Sequence, residues 1–330
     1  MLYRVGIQHR NRAFDAGKGV IRLDRPVISI GNLSTGGTGK TPMVHLVLRL
    51  LLDAGRQPVI AMRGYGAAPG EKGDEQQEHE SAFPNVPVVA QPDRIAGLRE
   101  LLKTDTGGRL DSVVLDDGFQ HRQIARDLDI VLIDATRPPT RDGLLPRGHL
   151  RDPIESLNRA GLVVLTHCER VTDESLNQLR SGITPYLADS VSVLHAQHTW
   201  AHITQFVKLE DGWDQGKIGL EHFTDQDVLL VCGIGNADAF VSMAEDSGFR
   251  IAREYRLGDH EPLSNGQIDE LNGSAEVHGR SILMTQKDWV KVRGHPVWEP
   301  GTRVLVPSLS MDLGNDLAQL TENVLAVFSP

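Results

Sequence analysis

The chain has 330 residues, of which 40% are hydrophobic and 24% are charged, so it is long enough for two globular domains with ordinary cores. Its formal charge of −10 disfavours a general nucleic-acid binder, and no run of about 18 apolar residues predicts a membrane-spanning helix. The two cysteines, Cys168 and Cys232, are far apart in the sequence, which favours a reduced cytosolic protein over a disulfide-stabilised one.

Short apolar segments alternate with helical patterns along the chain. Several of the apolar segments are continuous runs of Val, Ile and Leu, as in parallel strands that are buried on both faces. This alternation predicts a layered α/β fold. The predicted strands are Val27–Ile30, Pro58–Met62, Val86–Ala90, Ser112–Leu115, Ile130–Ile133, Leu162–Leu165, Val191–Leu194, Val228–Val231, Ile282–Met284 and Val304–Val306. The predicted helices include Thr41–Ala54, Asp93–Lys103, Thr172–Ser181, Ala237–Ser247, Ser264–Leu271 and Leu313–Val327.

Two segments without such patterns are interpreted as loops. Ala67–Ser81 is polar and acidic, which predicts a mobile surface loop. Arg137–Pro153 is rich in proline, glycine and arginine, so it is the best candidate for a domain boundary and, alternatively, for the lining of a site. We therefore predict two domains, residues 1–155 and residues 156–330.

The stretch SIGNLSTGGTGKTP, residues 29–42, lies between the first predicted strand and the first predicted helix. A glycine-rich turn at a helix N-terminus directs backbone N–H groups and partial positive charge at one anion. The strict phosphate-loop pattern requires glycine where this chain has Ser34, so the sequence predicts a variant loop. Lys40 would reach the β- and γ-phosphates of ATP, and the Thr41 hydroxyl would bind Mg²⁺. The predicted nucleotide-binding residues are Ser34, Thr35, Gly36, Gly37, Thr38, Gly39, Lys40 and Thr41.

A pair of carboxylates follows another predicted strand. In DSVVLDDGFQHR the apolar run ends at Asp116 and Asp117. Carboxylates at the tip of a central strand can hold Mg²⁺ beside the phosphates of a nucleotide. The alternative is an ordinary acidic turn, which the upstream glycine loop makes less attractive.

Nine blocks of sequence together resemble the tetraacyldisaccharide 4'-kinase family, the lipid A 4'-kinases of Gram-negative bacteria. The resemblance extends from Val27 to Lys291. In chain order the blocks are GNLSTGGTGKTP, RGYG, GDE, PDR, LDDGFQH, LLPRGHLRDP, GIGN, GDHEPLS and MTQKD.

The resemblance implies a P-loop NTPase-like fold of two α/β/α domains, with mainly parallel sheets and a cleft between them that the smaller C-terminal domain closes. It also implies transfer of phosphate from ATP, with Mg²⁺, to the 4'-hydroxyl of a tetraacylated glucosamine disaccharide 1-phosphate at the cytosolic face of the inner membrane. We further expect a monomer that contacts the membrane peripherally and binds no nucleic acid.

The resemblance also implies roles for individual residues. Asp74 would be the base that takes the proton of the sugar hydroxyl, and His260 would orient it. Lys40 would act on the phosphates, while Thr41, Asp116 and Asp117 would bind the metal. The other family positions around the site are Glu75, Arg94, Gln120, His121 and Arg151.

Two departures from the family pattern bear on these expectations. Asp152 replaces the usual glutamate after Arg151, which shortens the carboxylate by one methylene group. Members usually carry an apolar N-terminal helix that embeds in the membrane, whereas here about 25 residues with six basic side chains precede the first strand. One interpretation is a remnant of the anchor whose basic residues contact anionic headgroups, each with about 1 kcal/mol. The alternatives are a true start further upstream, removal of the anchor, or an ordinary basic N-terminal arm.

Three other functions share part of this pattern. A partitioning or maturation ATPase often has lysine where this loop has Thr35. A GTPase requires an Asn/Thr-Lys-x-Asp motif, and Thr285–Asp288 has the wrong spacing. A P-loop ligase or synthetase is not excluded by the glycine loop alone.

A group of histidines, His195, His198 and His202, suggests a metal site at first sight. If residues 191–195 form a strand, His195 and His198 point to opposite faces, which argues against shared ligation. The sequence therefore does not predict a metal site formed by these three histidines.

Overall fold

A computed structural model of the protein describes residues 2–64, 72–223, 225–234, 237–258 and 263–329. The helices are α1 (Leu2–Asp15), α2 (Lys40–Asp53), α3 (Asp74–Ala82), α4 (Arg94–Leu102), α5 (Asp173–Ile183), α6 (Ala237–Asp246), α7 (Asn265–His278), α8 (Gln286–Val292) and α9 (Leu317–Ala326). The strands are β1 (Val27–Asn32), β2 (Pro58–Met62), β3 (Val88–Ala90), β4 (Ser112–Asp116), β5 (Leu128–Asp134), β6 (Leu162–Thr166), β7 (Ser192–His195), β8 (Gln197–Leu209), β9 (Gly212–Ile218), β10 (Gln226–Cys232), β11 (Phe249–Arg256), β12 (Ser281–Met284) and β13 (Arg303–Asp312).

The strands form two sheets, as the predicted α/β fold requires. The first has the order β3-β2-β4-β1-β5-β6-β7, and its neighbouring strands are parallel. The second has the order β11-β10-β12-β13-β8-β9, with parallel pairing from β11 to β13 and an antiparallel β8–β9 hairpin. The prediction of a mainly parallel α/β architecture is confirmed.

The chain forms two compact units, residues 1–198 with 311–330 and residues 199–310. This division does not fall between residues 155 and 156, where the sequence suggested a boundary. The reason is that β6 and β7, which follow residue 155, continue the first sheet beside β5. The C-terminal helix α9 also belongs to the first unit.

Side chains of the central strand β1 enter cores on both faces of the first sheet. Ile28 and Ile30 pack in one core with Val44 and Leu48 of α2. Val27 lies in a separate core that includes α4. Because all six residues of β1 are buried, this strand is a rigid support for the loop that follows it.

The structure corrects the sequence prediction in several places. Residues 74–81 are not a surface loop, because they lie in α3, whereas residues 67–71 are outside the described part. Acidic residues at the start of α3 interact favourably with the helix dipole, and its Glu, Gln and Ala residues are good helix formers. The sequence analysis also missed α1, α8, β8, β9 and β11. Parts of the RGYG, GIGN and GDHEPLS blocks lie outside the described residues, including Tyr65, Gly66, Gly235, Asn236 and residues 259–262.

Candidate active site

The predicted phosphate loop lies between the end of β1 and the start of α2. Gly36 and Gly39 have φ values of 110° and 80°, a left-handed region that favours glycine. A Cβ at Gly39 would collide with the tip of Met311 and with His198 Nε2, so a side chain here would require these groups to move. The loop is fixed internally by Asn32, whose Nδ2 donates a hydrogen bond to Thr38 Oγ1 at 2.6 Å.

The proline- and glycine-rich segment before residue 153 lies alongside this loop. The Thr35 N–H donates to the His149 carbonyl at 2.8 Å, and the Arg151 N–H donates to the Leu33 carbonyl at 2.7 Å. Ser34 also forms an isolated β-bridge with Leu150. The segment therefore lies against the phosphate loop and inside the first compact unit, and that it lines a site stays a prediction.

The Asp116–Asp117 pair lies at the end of β4, the parallel neighbour of β1. Ile30 is in register with Asp116, so the acidic pair and the phosphate loop leave the sheet at the same edge. Asp117 has a positive φ of 51°. Both of its carboxylate oxygens accept hydrogen bonds from Arg151, at 2.7 and 2.8 Å, and Lys40 Nζ lies 3.7 Å away.

These contacts determine the charge of Asp117. Burial alone would raise the pKa of its carboxyl, but the Arg151 hydrogen bonds and the charges of Lys40, Arg151 and Arg94 lower the pKa to about 2. Asp117 is therefore an anion whose two oxygens are already bound to a guanidinium. Each oxygen keeps one further lone pair, so a metal ion at Asp117 would share the carboxylate with Arg151.

Asp116 has a different environment, although it is the next residue. Its carboxylate is buried, Oδ2 lies 3.0 Å from His79 Nε2, and Oδ1 has no hydrogen-bond partner among the described residues. An unsatisfied buried carboxylate oxygen is costly unless a cation or donor binds it. Asp116 therefore fits Mg²⁺ better than Asp117 does, since oxygen atoms are the ligands that Mg²⁺ prefers.

Three other predicted site residues surround the acidic pair. The buried Arg94 donates from Nη1 to the Asp117 carbonyl at 3.3 Å, and Gln120 Nε2 donates to the Asn32 carbonyl at 2.8 Å. Burial, together with Arg94 and Arg126, lowers the pKa of His121 to about 4, so its imidazole is neutral at pH 7. The structure thus brings Arg94, Gln120 and His121 to the same strand ends as the phosphate loop.

Of the remaining predicted site residues, the structure describes Asp74 and Glu75 but not His260. Asp74 and Glu75 form the first turn of α3, and Asp74 is exposed to solvent. His260 lies outside the described residues. The predicted pairing of Asp74 with His260 therefore stays a prediction.

Three buried, hydrogen-bonded side chains connect α3 to this site. The sequence analysis missed this connection. His45 Nε2, on α2, lies 3.0 Å from His79 Nδ1, on α3, and His79 Nε2 lies 3.0 Å from Asp116 Oδ2. Since a carboxylate only accepts, His79 donates from Nε2, and its Nδ1 then accepts the proton of His45. The phosphate-loop helix, the helix that carries Asp74 and the acidic strand end are thereby joined.

The pH dependence of the free energy of unfolding tests the charge state of His45. Burial, with electrostatic contributions from His79 and Arg49, lowers the pKa of His45 to about 3, while Asp116 opposes the shift. Because the unfolded chain binds a proton near pH 6.5 and the folded chain does not, His45 makes the protein less stable as the pH falls below 6.5. In His45→Gln this contribution, about 1.4 kcal/mol per pH unit, should be absent between pH 6.5 and 5. Urea unfolding across this range measures it, and an unchanged slope would show that His45 titrates normally.

Asp152, which departs from the family pattern, is fully buried. Its carboxylate lies 3.7 Å from Arg10, 3.8 Å from Arg159 and 3.4 Å from Asn11 Nδ2. Two of these partners are on α1, so the basic N-terminal segment is partly engaged with the protein itself. These contacts indicate that Asp152 has a structural role next to Arg151.

Comparison with known proteins agrees with this geometry. The family model described as tetraacyldisaccharide-1-P 4'-kinase matches residues 1–328. The tetraacyldisaccharide 4'-kinase of Anaeromyxobacter sp. (strain Fw109-5) is 33% identical, with 98% of this chain and 90% of that protein covered. The enzyme of the same name from Chlorobium limicola is 32% identical, with 89% and 85% covered.

A solved structure shows the same fold. The crystal structure of LpxK from Aquifex aeolicus in complex with ATP superposes with a TM-score of 0.72 at 27% identity, over 99% of this chain and 96% of that chain. This chain belongs to the tetraacyldisaccharide-1-P 4'-kinase family.

Proposed function

We propose that this protein transfers the γ-phosphoryl group of ATP to the 4'-hydroxyl of a tetraacylated glucosamine disaccharide 1-phosphate, a step of lipid A synthesis. The observation that carries the proposal is that the phosphate loop and the acidic strand end lie at the same sheet edge. Helix α3, which carries Asp74, is attached to that acidic end through the contact between His79 and Asp116. Membership of a lipid kinase family supports the reaction type and the donor.

The phosphate loop would hold ATP through its backbone. Its N–H groups and the N-terminus of α2 offer positive partial charge to the phosphates without a side-chain pocket. Lys40 Nζ lies 3.7 Å from Asp117 Oδ1, and this ion pair holds the ammonium group at the end of β4. There it would neutralise charge on the phosphoryl group that is transferred.

The residues that would hold Mg²⁺ are Asp116, through its unpartnered oxygen, and the Thr41 hydroxyl. When bound, the ion neutralises negative charge on the phosphate oxygens as it develops. His79 keeps the second oxygen of Asp116 occupied and so fixes the orientation of its carboxylate. Asp117 instead holds Arg151 and Lys40 in position.

Asp74 is the proposed base for the acceptor. A sugar hydroxyl is a weak nucleophile, and a positioned carboxylate can take its proton as the new bond forms. Asp74 is exposed at the first turn of α3, so an acceptor can reach it. The buried His79 on the same helix ties that turn to the metal-binding end of β4.

The acceptor is a lipid, so the protein is proposed to work at the surface of the inner membrane on its cytoplasmic side. In the described part of the chain, no helix has the length and apolar character needed to cross a bilayer. The N-terminal helix α1 exposes Tyr3 and several polar side chains. Arg10 and Arg22 contact Asp152 and Asp127, and the exposed Arg12 and Lys18 are proposed to contact anionic headgroups.

Replacement of His79 should impair the reaction without unfolding the site. In His79→Gln the Asp116 carboxylate loses a fixed partner, and we expect kcat to fall about 10- to 100-fold, the usual effect of removing a group that orients a metal ligand. The Mg²⁺ concentration needed for half-maximal rate should rise, while KM for the lipid stays unchanged. The exposed His222 gives a control, since His222→Gln should leave both quantities unaltered. An unchanged Mg²⁺ dependence in His79→Gln would contradict the positioning role.

A steady-state assay of ADP release tests the proposed acceptor. ADP formation should be stimulated by tetraacyldisaccharide 1-phosphate in detergent micelles, and not by the matched lipid in which hydrogen replaces the 4'-hydroxyl. Equal stimulation by the two lipids would mean that the 4'-hydroxyl is not the acceptor. ADP release that ignores both lipids would favour an ATPase of the partitioning or maturation type.

A further inference from the structure

A cluster of two histidines and a glutamate lies against the phosphate loop, apart from the acidic strand end. His167 and Glu169 follow β6, and His198 lies at the start of β8. One possible ligand atom from each of the three side chains lies within 4.8 Å of the others. The His167 and His198 rings are stacked, with centroids 4.0 Å apart and planes 17° from parallel.

The hydrogen bonds of His167 fix which of its nitrogens carries a proton. Nε2 lies 3.2 Å from the carbonyl oxygen of Gly37 in the phosphate loop. A carbonyl only accepts, so Nε2 must be the donor, and in the neutral imidazole the lone pair is then on Nδ1. This is the arrangement in which a histidine binds a metal through one nitrogen while a backbone carbonyl orients the other.

The atoms that face this lone pair are also acceptors. Glu169 Oε1 lies 3.6 Å from His167 Nδ1, and Glu169 Oε2 accepts the backbone N–H of His198 at 3.2 Å. His198 is 7% exposed, and its Nδ1 is buried without a hydrogen-bond partner in the described part of the chain. The Glu169 carboxylate and the Nδ1 atoms of His167 and His198, unpartnered among the residues described, lie together here, and buried ring nitrogens without partners beside a carboxylate are unfavourable unless a cation sits among them.

We infer that His167, Glu169 and His198 form a binding site for a divalent transition-metal ion such as Zn²⁺. Two imidazole nitrogens and one carboxylate oxygen are a ligand set that Zn²⁺ and Co²⁺ accept, with water in the remaining position. Mg²⁺ prefers oxygen ligands, so this site would be distinct in chemistry from the one at Asp116. Glu169 is exposed, which gives an ion a route in from solvent.

The proposed ion would support the phosphate loop rather than take part in phosphoryl transfer. With Nδ1 bound to metal, His167 keeps its Nε2 proton on the Gly37 carbonyl. That contact occupies an oxygen that would otherwise repel phosphate, because carbonyl and phosphate oxygens are both negative. The neighbouring Gly39 leaves room for the His198 ring, since a Cβ there would lie 2.5 Å from its Nε2.

The competing occupant is a proton. Burial alone would lower the pKa of His167, but Glu169, Asp134 and the Gly37 carbonyl raise it, so a second proton on His167 would also separate the acceptors. Burial and the charge of His167 lower the pKa of His198 to about 4, which keeps its lone pair available at pH 7. The experiment must therefore distinguish metal from proton.

The test is Co²⁺ binding to the purified full chain, without ATP or lipid and with Mg²⁺ in excess to occupy oxygen-only sites. We expect one Co²⁺ per chain, with visible absorption typical of nitrogen and oxygen ligands, and displacement by Zn²⁺. Glu169→Gln and His198→Gln should each weaken binding at least about 10-fold, as loss of a direct ligand requires. Circular dichroism establishes that both variants are folded.

The control is His222→Gln, because His222 also lies beside a glutamate, with Nδ1 3.2 Å from Glu221 Oε1, but belongs to no three-residue cluster in the described ranges. It should bind Co²⁺ like the parent. Absence of Co²⁺ binding in the parent, or equal binding by all the folded variants, would overturn the proposal. Because the assay uses neither nucleotide nor lipid, its outcome is independent of the kinase activity.

Discussion

Asp116→Asn should lower kcat about 1,000-fold, which corresponds to about 4 kcal/mol of lost transition-state stabilisation. Asparagine keeps the size of the side chain but removes the negative charge that would hold Mg²⁺ beside the phosphates. The buried oxygen without a partner would be replaced by a neutral amide atom. We therefore expect the Mg²⁺ concentration for half-maximal rate to rise strongly, and steady-state kinetics with varied Mg²⁺ measures this.

The adjacent carboxylate provides the comparison. In Asp117→Asn the bidentate pair with Arg151 is lost, so KM for ATP should rise while the Mg²⁺ dependence changes little. This contrast separates the two roles even though the residues are neighbours. A larger shift of the Mg²⁺ dependence in Asp117→Asn than in Asp116→Asn would reverse the assignment.

Asp74→Asn is expected to have an effect of similar size through a different step. Loss of a general base commonly lowers the rate by about 100- to 10,000-fold. The change should appear in kcat, with KM for ATP nearly unaltered, because Asp74 acts on the acceptor hydroxyl. Asp74 is at the first turn of α3, so losing its charge should destabilise that helix by only about 0.3–1 kcal/mol.

Glu80→Gln is the matched control, since it neutralises another carboxylate on the same helix, one that pairs with Lys72 at 2.6 Å. Its kcat should remain close to that of the parent. If Asp74→Asn retained the parental kcat, another group would have to accept the proton of the sugar hydroxyl. Equal losses in both variants would indicate that the charge of α3 matters rather than the identity of Asp74.

Local sequence was sufficient to predict the phosphate loop and the acidic strand end. The geometry of the phosphate loop is specified within a few residues, by a buried apolar run, a glycine turn and Lys40 at the start of a helix. This is possible because the backbone alone builds such a loop. The continuous apolar character of β1 and β4 predicts two buried parallel strands, but only the structure shows that they are neighbours. The roles of Asp74 and His260 came from the family resemblance and not from such local rules.

Long-range contacts account for what the sequence analysis missed. His79 looks like one more polar residue of an acidic segment, and only tertiary packing places it between His45 and Asp116, which are 34 residues before it and 37 residues after it. His198 was considered with His195 and His202, its neighbours in sequence, whereas in the fold it contacts His167. The strands β8 and β9 were missed because much of the hairpin is only partly buried, so its apolar pattern is weak.

The most direct test of the central claim is to identify the phosphorylated product. Purified protein is incubated with γ-labelled ATP, Mg²⁺ and tetraacyldisaccharide 1-phosphate, and the lipid is analysed by thin-layer chromatography and phosphorus NMR, with Lys40→Ala run in parallel. We predict label in the lipid and a new phosphomonoester at the 4' position for the parent, and neither for the variant. Release of labelled inorganic phosphate with no label in the lipid would contradict the assignment as a 4'-kinase.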